Sequence, residues 1–187
     1  MRNTAQKILA DFDAAAPDYD RWAEIQAQTA QQLVAKCDAT SPVDILDIGC
    51  GTGFVSESAA KKWPDATITA LDHAPAMLLE AQRKVPRLKT ILADAASAEI
   101  TQKFDIIFSS MMLHWLPDPL AALKLWRTWL KPNGVMHIAF LTENSFSEWA
   151  DLCRDDGVEN GLWKMPPASL ADATGATCEY QNIQISH

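Results

Sequence analysis

Asp47-Ile48-Gly49-Cys50-Gly51-Thr52-Gly53 is the stretch from which the rest of the chain can be read. Just upstream, Val43, Ile45, Leu46 and Ile48 form a short apolar run of the kind that buried parallel strands carry. Downstream, 54–63 has a helical pattern that stops at Pro64. The three glycines stand where a strand must turn into a helix and let a ligand come close to its backbone, which side chains would prevent. The first turn of the following helix then offers unpaired N–H groups to a polar ligand.

Working outward, strand and helix patterns alternate. Strands are predicted at 43–48, 66–71, 88–93, 104–109 and 135–142, and helices at 54–63, 75–84 and 119–130. Pro75 suits the first turn of its helix, and Lys131-Pro132-Asn133-Gly134 reads as a stop followed by a turn. Such alternation predicts a doubly wound α/β domain with right-handed crossovers. Before the sheet, 5–16 is a weak helical pattern stopped by Pro17. Asp20 is expected to cap a second helix reaching about Lys36, with Trp22, Ile25, Thr29 and Leu33 on one face. After it, helices are expected at 145–154 and 168–173 and a sixth strand at 177–186.

Three carboxylates end three consecutive predicted strands. Asp47 closes the first, Asp72 the second and Asp94 the third, with Asp72 falling 19 residues beyond Gly53. In an open parallel sheet those ends face one crevice, where ligands bind. An acid at the second strand end can accept hydrogen bonds from both ribose hydroxyls. Dinucleotide enzymes usually carry G-x-G-x-x-G, whereas the spacing here is G-x-G-x-G. That spacing, with no plausible site for hydride transfer, disfavours an NAD-dependent oxidoreductase.

Together these residues resemble the class I S-adenosylmethionine-dependent methyltransferases, over about 12–185. The resemblance implies a three-layer, Rossmann-like α/β fold and S-adenosylmethionine as cofactor, with S-adenosylhomocysteine as its product. By the same resemblance Gly49, Gly51 and Gly53 would pass beneath the methionine part, with Asp47 near its amino group and Cys50 a small side chain in the same loop. Asp72 would bind the ribose hydroxyls, with His73 and Met77 beside the adenosine. Asp94 would accept from the adenine amino group and the Ala95 backbone would donate to the ring. Ser110 would line the methyl-donor end. The family's usual seventh strand has no sequence left to form it in this chain, so an exposed sheet edge could pair with a second copy.

Composition narrows the partners. A length of 187 residues, 48% apolar and 21% charged, predicts one globular domain: a helical cofactor cover at 1–38, a cofactor-binding core at 43–142 and a shortened substrate region at 143–187. The net charge of −8 disfavours nucleic acid as a partner, because the short basic clusters read as solvated helix faces. Ser109-Ser110-Met111-Met112 follows the fourth strand, where nucleic acid amino-methylating enzymes usually carry an Asn-Pro-Pro-Tyr-type segment. No apolar run reaches membrane-spanning length, and no signal-peptide core follows Met1. Four scattered cysteines without a C-x-x-C pair argue against a metal site and a disulfide framework, and predict a cytoplasmic setting.

The entry segment Phe12-Asp13-Ala14-Ala15-Ala16-Pro17-Asp18-Tyr19-Asp20 resembles, more narrowly, the malonyl-carrier-protein O-methyltransferases of biotin synthesis. So do Ser109 to Leu116 and the Met165-Pro166-Pro167 turn. That likeness implies an entry segment folded over the cofactor, Tyr19 approaching the methionine carboxylate, and methyl transfer to a malonyl thioester on acyl carrier protein or coenzyme A. Tyr19, Ser110, His114 and Trp115 are the candidates for the substrate pocket, and Arg21, Arg154 and Lys164 for a cation that meets the acceptor. Leu113 to Asp118 equally resembles the trans-aconitate methyltransferases, so another small carboxylate remains an alternative acceptor. The short C-terminus leaves a further one, a catalytically silent homologue that binds cofactor.

Overall fold

The computed structural model describes residues 2–157, 165–170 and 172–175, together with 177 and 179. These fall into two compact units, one spanning Met1–Phe140 and the other Leu141–His187.

In the first unit five parallel strands make one sheet: β1 (Asp44–Ile48), β2 (Thr67–Asp72), β3 (Lys89–Leu92), β4 (Phe104–Ser110) and β5 (Leu130–Ala139). Their order is β3-β2-β1-β4-β5. Successive strands therefore move outward from β1 in one direction and then from β4 in the other. The reversal between β1 and β4 opens a crevice at their carboxyl ends. Ile45, Leu46 and Ile48 on β1 and Ile106, Ile107 and Phe108 on β4 are all fully buried, as expected of central parallel strands covered on both faces.

Period-2 alternation divides these side chains between two layers. Ile45, Ile68, Ala70, Ile106 and Phe108 share one core with α2 (Glu24–Ala35), α3 (Phe54–Lys62) and α4 (Pro75–Lys84). Right-handed crossover puts α5 (Pro119–Arg127), which joins β4 to β5, on the other face. Its buried Trp126 donates from Nε1 to the carbonyl of Ala95 at 2.8 Å. Helix ends are chemically marked. Asp118 accepts from the Ala121 N–H ahead of Pro119 and so caps α5, and Lys62 at the end of α3 donates to the carbonyls of Val34, Ala35 and Cys37 that close α2.

Several local expectations are corrected. The first helix, α1, begins earlier, at Arg2–Ala15. Asp20 caps nothing: it lies in a 3-10 turn, Tyr19–Arg21, and α2 starts after Ala23 without a side-chain cap. The buried line of α2 is Ala30 and Val34, while Trp22 is 85% exposed, because the turn breaks the helical period between them. Residues 131–134 do not separate helix from strand. They bulge out of β5, so that Leu130 pairs with Phe104 and Val135 with Ile106. α5 accordingly ends at Arg127.

In the second unit, α6 spans Ser147–Asp155, and 3-10 turns occupy Ala168–Leu170 and Asp172–Thr174 in place of the expected helix. The expected sixth strand lies almost wholly outside the described residues, as does Lys164. Among the described residues no helix is long and apolar enough to cross a membrane, and no cluster of His, Cys, Asp or Glu could hold a metal.

Candidate active site

The glycine turn is held by the strand beside it. The carbonyl of Leu71, at the end of β2, accepts from both Gly49 N–H (2.7 Å) and Cys50 N–H (3.1 Å). Asp72 then reaches back: one carboxylate oxygen accepts from Gly51 N–H at 2.8 Å and the other from Ala74 N–H at 2.9 Å. Gly49 and Gly51 have φ of +66° and +52°, in the left-handed region that suits glycine. At Gly49 a Cβ would lie 2.3 Å from the Met112 side chain, so β4's exit segment packs directly on the turn. At Gly51 a Cβ would meet nothing within 4 Å, because the backbone there borders open space.

That space is a cavity of about 240 Å³ at the carboxyl ends of the strands. Of the expected cofactor residues, Tyr19, Asp47, Gly49, Cys50, Gly51, Asp72, His73, Met77, Asp94, Ala95 and Ser110 all line it, as does the pocket candidate Trp115. Gly53 does not. Its φ of +91° turns the chain into α3, and a Cβ there would lie 2.9 Å from Ala81, so its demand is close helix packing. His114 is also outside the lining. It is buried beside Trp115, with ring centroids 5.3 Å apart, and burial pushes its pKa down to about 4, so it is neutral at physiological pH. Arg21 is spent on Asp18 and Arg154 on Asp151, both in exposed pairs.

Electrostatics single out the carboxylates. Asp47 is buried, and one of its oxygens accepts from the N–H and hydroxyl of Ser56 at 3.0 and 2.6 Å. Its other oxygen is buried with no hydrogen-bond partner among the described residues. Burial raises its pKa to about 7, against the pull of the Ser56 hydrogen bonds. Asp72 is raised too, chiefly by burial, with its backbone donors opposing. Asp94 sits at the edge and accepts from Ala96 N–H. No lysine or arginine is among the described lining residues. The cavity is thus a largely apolar space bordered by three acids with no lysine or arginine beside them among the described lining residues, which suits a ligand with cationic and hydroxyl groups.

Around it the entry segment supplies one wall. Ile8, Leu9 and Phe12 of α1 line the cavity, and Phe12 contacts the rings of Tyr19 (6.2 Å) and Trp115 (5.5 Å, edge-on). Burial raises the Tyr19 pKa, partly offset by a side-chain hydrogen bond with Gln26, another lining residue. Thr52, Gln26 and Met112 line the site without having been expected there. Thr52 had a signal, its place inside the turn, whereas Gln26 and Met112 had none in their local sequence.

With that geometry in hand, residues 45–134 match the family model described as a methyltransferase domain. Over that stretch the chain is similar to the class I methyltransferases. It is 34% identical over 148 residues to a malonyl-[acyl-carrier protein] O-methyltransferase of Acetivibrio thermocellus, covering 76% of this chain and 52% of that protein. It is 33% identical over 130 residues to a trans-aconitate 2-methyltransferase of Methylobacterium nodulans, covering 70% and 50%. The chain spans about half the length of these curated relatives. Its fold is similar to that of the solved DhpI-SAM-HEP complex, with a TM-score of 0.69 at 20% identity over 91% of this chain and 86% of that one.

Proposed function

We propose that this chain binds S-adenosylmethionine in the cavity and methylates a carboxylate, that of a malonyl thioester on acyl carrier protein or coenzyme A in biotin synthesis. The observation that carries the reading is the convergence of Asp47, Asp72 and Asp94 with the Gly49–Gly51 turn on one space. The residues fit such a cofactor. The orphaned Asp47 oxygen and the open side of Gly51 leave room and an acceptor for the amino-acid part, and Tyr19 faces its carboxylate. Asp72 has lone pairs left for ribose hydroxyls beyond its two backbone donors. His73 and Met77 flank the adenosine, with Asp94 and the Ala95 backbone at the base. Ser110 and Trp115 border the acceptor. Residues 1–38 serve as the cover and 43–142 as the core.

Bound there, the cofactor supplies an electrophilic methyl group on a sulfonium. The protein's part is to align an acceptor oxygen with that methyl and keep water away. A carboxylate, with an unperturbed pKa of roughly 4, is already ionised at neutral pH and needs no general base. Both kinds of curated relative support this acceptor chemistry, since their names specify malonyl and trans-aconitate substrates. The similarity to trans-aconitate methyltransferases over 70% of the chain supports a second reading, in which a small free acid is the acceptor.

The test is transfer of a labelled methyl by the full chain to malonyl thioester, trans-aconitate, succinate and nucleic acid. Ester formation on malonyl thioester is expected, at a rate that, with cofactor saturating at every pH, shows no inflection between pH 6 and 9. Product from trans-aconitate alone selects the second reading. Cofactor binding without product from any carboxylate would leave a silent homologue.

A further inference from the structure

Asp20 and Lys84 lie outside the cavity lining, yet they join two of its walls, the entry segment and the glycine turn. One Asp20 oxygen accepts from the Thr52 hydroxyl at 2.6 Å and the other pairs with Lys84 Nζ at 2.6 Å. Lys84 also donates to the Thr52 oxygen at 3.2 Å, with its ammonium 4.0 Å from the centre of the Phe54 ring. Thr52 is buried in the glycine turn and lines the cavity, and Tyr19, which adjoins Asp20, lines it from the entry segment. Three segments 32 residues apart in sequence thus meet at one ammonium group. At the other end of α4, Asp13 of α1 accepts from Ala76 N–H at 2.8 Å, in the helix's first turn, where a carboxylate is favoured.

The entry segment is therefore strapped along α4 by a carboxylate at each end. Between them its apolar hold is slight. Ala16, Ala74 and Met77 form a small cluster, joined by Leu9, Phe12 and Tyr19, apart from the core shared by the sheet and α2–α4. A segment with few buried contacts opens at lower free energy than the core beneath it. Ile8, Leu9, Phe12 and Tyr19 nevertheless wall the cavity, so a ligand filling it leaves when this segment lifts.

We propose that Asp20 and Lys84 are positioning residues that latch the entry segment to the glycine turn and set the rate at which ligand leaves the cavity. The proposal rests on the cofactor reading for its ligand but not for its mechanics. With Asp20 gone, Lys84 keeps its place over Phe54 but no longer ties Tyr19's turn to Thr52. With Lys84 gone, Asp20 keeps only the Thr52 hydroxyl. The pair is partly exposed, with side-chain accessibilities of 21% for Lys84 and 45% for Asp20, so salt weakens it.

The experiment compares wild type with Asp20→Asn, Lys84→Gln and the double variant, with Lys61→Gln, which loses only the exposed pair with Glu57, as control. S-adenosylhomocysteine dissociation is followed by stopped flow at 0.05 and 0.5 M salt, and amide hydrogen exchange of 12–22 is measured without ligand. Each single variant should release ligand about three- to ten-fold faster, as expected for losing one partly buried ion pair. The double variant should add little to either, and the salt dependence of wild type should disappear in all three. Exchange at 12–22 should quicken while β1 and β4 stay protected. Wild-type release rates with unchanged exchange in both single variants would overturn the latch. So would equal loosening of the sheet, which marks a general loss of stability. A wild-type protein that does not bind the ligand refutes the cofactor reading, and the exchange measurement still decides the latch.

Discussion

The two ends of one sheet carry the same kind of residue in opposite circumstances. At the amino end, Asp44 and Asp105 face Lys131, whose ammonium lies 2.7 and 2.9 Å from their oxygens. Asp105 also accepts from the N–H groups of Val43 and Asp44. Burial pushes its pKa up, but those N–H groups and Lys131 together outweigh it and hold the carboxyl below its usual range. At the carboxyl end, Asp47 and Asp72 have backbone and hydroxyl donors but no lysine or arginine among the described residues, and both are raised by burial. The first set ties β1, β4 and β5 together. The second stores unmet negative charge beside an open space. A paired acid reads as architecture, and an unpaired buried acid at a strand's carboxyl end as a site.

The largest expected effect is at Gly51. In Gly51→Val the side chain enters the cavity, and affinity for S-adenosylhomocysteine should fall about 100-fold, roughly the cost of overpacking a filled site. The φ of +52° adds roughly 1–2 kcal/mol of strain that lowers stability separately. Calorimetry and thermal melts separate the two, and near-normal affinity would show that the turn does not border the ligand.

Asp72→Ala should weaken binding by about 1.5–3 kcal/mol, the range for hydrogen bonds to a charged group. Asp105→Ala, at the opposite end, should lower stability by about 1 kcal/mol while leaving affinity within two-fold. Similar affinity losses in both variants would erase the distinction between the ends.

Asp47 makes the comparison depend on pH. Its folded pKa, about 7, lies above its unfolded value near 3.8. The folded state thus holds the proton more tightly, and Asp47's stabilising contribution, full below pH 4, is lost as pH rises through 7. Asp47→Asn keeps an oxygen that can accept from Ser56 and does not titrate. Its melting temperature relative to wild type should rise between pH 5 and 8 in ligand-free protein. Conversely, wild-type affinity for a cationic ligand should drop below pH 7, and the variant should bind more weakly and without that pH dependence. A constant gap in melting temperature would mean that Asp47 is ionised throughout.

The smallest effect belongs to Lys131→Gln, a loss of about 0.5–1 kcal/mol in stability that shrinks at high salt, with no change in binding. Altered binding there would mean that the amino end of the sheet reports to the site.

Much of this was legible in local sequence. The helix 75–84 has the ends its proline and its basic last turn mark. The strand carrying Ile45 to Ile48, the turn after it and the acids at 47, 72 and 94 follow from apolar runs and punctuation. These are properties of neighbouring residues, and the parallel alternation leaves few ways to arrange them. Asp20 was misread as a cap because Ser, Thr, Asn and Asp are all good caps locally. Its partners are 32 and 64 residues away, and no local rule reports them. Gly53 looked like the third member of a ligand turn, but its neighbour is Ala81 across a helix contact. His114 looked available until burial made it neutral and walled it off.

By itself, then, the sequence determined the element types, their order, the glycine turn and the set of acids placed at strand ends, because periodicity and backbone chemistry act over a few residues. Only the tertiary structure decided which acids are answered by a lysine and which are left facing a cavity, and which residues of the entry segment close over it. Charge compensation and burial depend on groups brought together from distant parts of the chain, and an aspartate carries no local mark of whether its partner will be Lys131, Lys84 or a ligand.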